Sequence, residues 1–76
     1  MNNQKKRRTE DIPFSFRSPK EADNACAEVK RKYDGKIKAW ATEMTLFVQA
    51  HESMLMNYDI VTFVRSLGGT QVGSKI

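Results

Sequence analysis

The chain has 76 residues, 39% of them hydrophobic and 29% charged, with one cysteine and a formal net charge of +4. A chain this short forms at most one small domain and buries only about 60–65% of its unfolded surface, so pairing with another subunit is an ordinary source of extra stability. The single Cys26 excludes an intramolecular disulfide framework and fits a reducing cytoplasm, and apolar runs such as Leu46–Val48 and Met54–Met56 fall far short of the roughly 20 residues of a membrane helix, so no membrane association is expected.

Residues 1–10 carry the charge imbalance. Lys5, Lys6, Arg7 and Arg8 are all basic, and the nine remaining Lys and Arg cancel the nine Asp and Glu. Without apolar periodicity, this stretch reads as a flexible basic arm suited to phosphates, a solubilising tail being the plainer role. Next, Ile12, Phe14 and Phe16 alternate with Pro13, Ser15 and Arg17, the pattern of a short strand with one apolar and one polar face. Ser18-Pro19-Lys20-Glu21 follows as a capping box, with Ser18 as N-cap and Pro19 at the first helical position. A lone strand is unstable in water, and no sequential neighbour reads as its partner, so the same strand of a second copy is the expected one.

A first helix is predicted from Pro19 to about Asp34, where Ala22, Ala25, Cys26, Val29 and Tyr33 form one stripe and Gly35 is a left-handed stop. From Ile37 to Leu55, the residues Ile37, Trp40, Ala41, Met44, Phe47, Val48, His51 and Leu55 recur at helical spacing and predict a second helix. A hairpin competes over residues 30–42, because Asp34-Gly35 is a turn signal and Ile37, Ala39 and Ala41 alternate. Asn57 to Leu67 predicts a third helix, with Asn57 or Asp59 as N-cap and Gly68-Gly69 as the stop, although its β-branched content leaves a strand open. Residues 70–76 read as a disordered tail.

Phe14, Phe16, Arg17, Pro19, Glu21 and, after the first helix, Gly35 together resemble the ribbon-helix-helix family of small DNA-binding repressors, of the Arc and Mnt kind, over residues 12–52. The resemblance implies a mainly α fold with one short β-strand: an intertwined homodimer with a two-stranded antiparallel ribbon, plus a C-terminal helix. It divides the chain into the basic arm 1–10, a DNA-binding domain 11–53, a C-terminal helix 54–69 and the tail 70–76. The ribbon of such a dimer enters the major groove. Its outward residues here are Pro13, Ser15 and Arg17, with Arg17 able to grip guanine and Pro13 standing where the family has a polar residue. Lys5, Lys6, Arg7, Arg8, Lys20, Lys36 and Lys38 are the phosphate-binding candidates; Lys36-Ile37-Lys38 replaces the hydroxyl cap that the family carries after the Gly. Phe14, Phe16, Trp40, Met44, Phe47 and Val48 are the expected dimer core.

One His and one Cys, both on apolar stripes, offer neither a zinc set nor a nucleophilic pair, and no Gly-rich phosphate loop is present, so no catalysis, metal or cofactor is expected. The expected function is sequence-specific binding of double-stranded DNA by a cytoplasmic or nucleoid-associated repressor, a homodimer able to pair as a tetramer on DNA. The alternative is a small phage or plasmid interaction protein (a host-enzyme inhibitor, antitoxin or relaxosome accessory) that docks a protein partner on its apolar segment 54–67.

Overall fold

Alternation at the start of the chain does produce a strand, and the structure, a computed structural model describing residues 11–72, shows what pairs with it. β1 (Asp11–Ser15) buries Ile12 and Phe14, and Phe16 is buried just beyond its end. The Ser18 hydroxyl then accepts a hydrogen bond from the Glu21 amide at 3.2 Å and opens α1 (Pro19–Lys32). Its acidic first turn and basic last turn suit the helix dipole. The Gly35 amide returns to the Lys30 carbonyl at 2.9 Å, with Asp34 (φ 53°) and Gly35 (φ 74°) both left-handed, which closes the helix in a Schellman turn.

The second helix expected from Ile37 to Leu55 does not form. In its place stand β2 (Ala39–Thr42) and β3 (Thr45–Gln49), joined by a two-residue turn in which Glu43 is left-handed (φ 54°). Trp40, Thr42, Thr45, Phe47 and Val48 are strand-favouring types. The hairpin lets Ala39, Leu46 and Val48 be buried together. Asp34-Gly35, the expected turn of the competing reading, ends α1 instead.

This hairpin also supplies the missing neighbour of β1. β1 runs antiparallel to β3, with Ile12 opposite Val48 and Phe14 opposite Leu46; on its other side lies β4 (Thr70–Gln71), with Ser15 opposite Thr70. Both edges of β1 are thus occupied within the chain, which overturns the two-stranded ribbon and the intertwined homodimer. The fold is not mainly α with one strand; it is α+β, a four-stranded antiparallel sheet in the order β2-β3-β1-β4 with two helices. Each helix crosses over one strand, giving the interleaved β-α-β-β-α-β arrangement called ferredoxin-like.

One core lies between the sheet and the helices. Ile12, Phe14, Leu46 and Val48 meet Ala22, Ala25, Cys26 and Val29 of α1 and Ile60 and Val64 of α2 (Met54–Ser66). Residues on both sides of position 53 contribute to this core. The small side chains of α1 allow its close approach to β2 and β3. α2 starts earlier than predicted, because Ser53 is the N-cap and accepts from the Met56 amide at 3.3 Å. Asn57, one of the expected caps, is buried instead: its side chain accepts from the His51 amide at 2.6 Å and donates to the His51 carbonyl at 2.7 Å, tying α2 to the end of β3. Asp59, the other, accepts a hydrogen bond from the Tyr33 hydroxyl at 2.6 Å, which joins the end of α1 to α2. Burial, followed by the nearby Asp59 carboxylate, pushes the Tyr33 phenol above its ordinary pKa.

Residues 70 and 71 are a strand rather than disordered tail, while residues 73–76 and the arm 1–10 lie outside the described residues. Gly68 (φ 102°) turns the chain out of α2, and Gly69 passes directly over the core. A Cβ on Gly69 would lie 2.7 Å from the Phe16 ring and 2.9 Å from Val64. Gly69→Ala is therefore expected to destabilise the fold by about 1–3 kcal/mol through overpacking, seen as a lower urea midpoint with an unchanged slope. An unaltered midpoint would mean that β4 is free to shift.

Candidate nucleic-acid interface

The helices cover one face of the sheet, and the register sets what the other face displays. Because alternate residues point to opposite faces, the partners of outward residues form rows across the strands. In the central row Trp40 faces Phe47 and Phe47 faces Pro13, and the Val72 amide donates to the Pro13 carbonyl at 3.0 Å, placing Val72 at the far end. Trp40 and Phe47 are stacked, with ring centroids 5.8 Å apart and planes 19° from parallel. Trp40 is 40% exposed and Val72 46%. On one side lies a row of hydroxyls, Thr42, Thr45, Ser15 and Thr70; on the other are Gln49, opposite Asp11, and Lys38, whose carbonyl accepts the Gln49 amide at 2.8 Å.

Proline is unusual inside a sheet because it cannot donate to the ladder. The Phe16 amide donates to Met44 of the β3 segment at 2.8 Å, so by antiparallel alternation Phe14 and Ile12 also bond toward β3, and Pro13 turns its nitrogen toward β4. There the ladder is only two residues long, and the missing amide costs at most one bond at its end. Pro13 adds a flat apolar surface to the aromatic row.

The expected base-reading residues Pro13 and Ser15 do lie on the outward face, and Arg17, exposed, comes next in the alternation. They sit in the middle of a broad sheet, however. Four strands spaced about 4.8 Å apart span about 14 Å between outer axes, more than the roughly 12 Å width of the major groove, so this surface cannot enter the groove as a ribbon does. Among the expected phosphate contacts, Lys38 borders the outward face, Lys36 is exposed in the connection before β2, and Lys20 is exposed in the first turn of α1. Lys5, Lys6, Arg7 and Arg8 lie outside the described residues.

Of the six residues expected in a dimer core, Phe14, Phe16 and Val48 are buried in the chain's own core. Trp40 and Met44 are exposed and Phe47 is half-buried, all three outside the core. Helical spacing predicts Trp40 and Phe47 in the interior; alternation within residues 39–42 and 45–49 is the signal that places them outward. No protein family model, curated protein or solved structure matches the chain.

Other surfaces offer less chemistry. A cleft of about 160 Å³ beside α1 is lined by Glu21, Asn24, Ala25, Glu28 and Leu67. His51 is exposed, and its Nδ1 accepts the Ser53 amide at 2.9 Å, a local turn contact. Among the described residues no three of His, Cys, Asp and Glu converge as a metal set, and no helix is long and apolar enough to cross a membrane.

Proposed function

We propose that the open sheet face binds single-stranded nucleic acid, with bases stacking on Trp40 and Phe47 and the backbone held by Lys38, Arg17 and the basic segment 5–8. The carrying observation is the stacked aromatic pair standing on the solvent side of the sheet. Burying those rings in the core would stabilise the fold; their outward position leaves ring surface for a ligand. Bases present a π-face whatever their identity, so such a platform favours unpaired strands, and four-stranded sheets bearing outward aromatics are an established way to hold them. The cations supply the sequence-independent, salt-sensitive part of the affinity. Double-stranded DNA, with its bases stacked on one another, offers this face only phosphate.

Trp40 is the chain's one tryptophan, so its emission reports directly on the site. Titration with a single-stranded oligonucleotide is expected to quench it, and the same sequence as a duplex is expected to have a much smaller effect. Affinity should fall with salt, and replacing Lys5, Lys6, Arg7 and Arg8 with alanine should flatten that slope. Equal quenching by duplex and single strand would sink the reading.

A second reading rests on α2, where Met54, Leu55 and Tyr58 are 69%, 83% and 75% exposed. Three large apolar side chains within two turns suit a protein partner. If no nucleic acid alters Trp40 emission, that surface becomes the better candidate.

A further inference from the structure

The row beside the aromatics consists entirely of hydroxyl side chains. Thr42 faces Thr45, Thr45 faces Ser15, and Ser15 faces Thr70, one from each strand. This row lies two residues along the strands from the aromatic row, a step of about 6.8 Å. Ser15, Thr42 and Thr70 are exposed and Thr45 is half-buried. Among the described residues, none of the four hydroxyls bonds another group, and a hydroxyl can both donate and accept.

We infer that this row selects RNA over DNA, an inference that rests on the single-strand reading of the same face. A nucleotide whose base lies over Trp40 or Phe47 and whose sugar points toward the hydroxyl row brings its ribose beside Thr45. The ribose 2′-hydroxyl both donates and accepts, and it is the group by which a protein tells the two nucleic acids apart. Thr45 is the central contact because it neighbours Phe47 on β3 and lies between Thr42 and Ser15. A deoxyribose brings only C–H to the same place and leaves these hydroxyls to water. The opposite row holds Lys38, Gln49 and the exposed carboxylate Asp11, so its phosphate contact is that of Lys38 at the β2 edge.

Threonine is common in strands for reasons of packing, so the test has to read the sugar. The full chain is titrated with a uridine oligomer and with a deoxyuridine oligomer of equal length, following Trp40 emission. The ribo-oligomer is expected to bind about 3- to 10-fold more tightly, the worth of one or two added hydrogen bonds. Thr45→Val, which keeps the side-chain shape and suits a strand, is expected to bring the ribo-oligomer to the affinity of the deoxy-oligomer while leaving the latter unchanged. Ser15→Ala combined with Thr42→Val is a second route to the same loss, should Thr45→Val disturb the fold. Equal affinity for both sugars, or a preference that survives both variants, overturns the RNA assignment and leaves single-strand binding intact. No binding of either oligomer overturns the single-strand reading and this inference with it.

Discussion

Phe14→Ala is expected to lower stability by about 3–5 kcal/mol, the range for a large ring removed from a core. Phe14 is fully buried on the central strand, opposite Leu46 on one side and Gln71 on the other, so few neighbours can collapse into the space. A domain of this size has a total stability on the order of 5 kcal/mol, which leaves the variant near or past its unfolding midpoint. Circular dichroism during urea titration measures the loss. Its dependence on protein concentration carries further information: with β1 paired inside its own chain, the midpoint should stay constant over a hundredfold dilution, whereas a ribbon shared between two copies would lower it on dilution. A midpoint that falls on dilution, or a Phe14→Ala protein as stable as the parent, would contradict this sheet.

Trp40→Ala should have the reverse profile, with large effects on binding and small ones on folding. Base–aromatic stacking is worth about 1–3 kcal/mol per base, so affinity for a single strand is expected to drop by about 5- to 150-fold. The indole is 40% exposed on an edge strand, and its removal empties no core. The variant lacks the fluorophore, so the measurement is anisotropy of a labelled oligonucleotide. Trp40→Phe, which keeps a π-face, should recover most of the affinity. Unchanged affinity in Trp40→Ala with the parent's thermal midpoint would show that the platform is not the site.

Much of the fold is legible in residue order. Alternation from Ile12 to Phe16 specifies which side chains of β1 are buried, and the Ser18 capping box specifies where α1 begins. The β2–β3 hairpin is hidden by its own turn. Two turn residues invert the parity of burial, so Ala39 and Ala41 face inward before the turn, and Leu46 and Val48 after it. No single two-residue period spans the segment. Ile37, Trp40, Ala41, Met44, Phe47 and Val48, drawn from both faces of the hairpin and from its turn, fall by chance on helical spacing. The turn residues give no help, since neither Glu43 nor Met44 is of the Asn or Gly type that left-handed hairpin positions favour, yet Glu43 adopts φ 54°. β4 is hidden for another reason: two residues, Thr70 and Gln71, are too few to carry a pattern, and only the pairing with Phe14 and Ser15 defines them. The aromatic platform is hidden together with the hairpin, since a helical period sends Trp40 and Phe47 to the interior and the strand period sends them outward.

The placement of β1 has a consequence for how the molecule assembles. It comes first among the described elements, yet its neighbours are β3 and β4, the latter reached only at residues 70 and 71. Most of the domain must therefore emerge from the ribosome before this strand can be enclosed, and each pairing closes a long loop whose entropy is spent before packing repays it. Until then Ile12, Phe14 and Phe16 remain in water on a nascent chain, where the run of charges just upstream, Lys5 to Arg8, helps keep that sticky segment from finding another copy of itself.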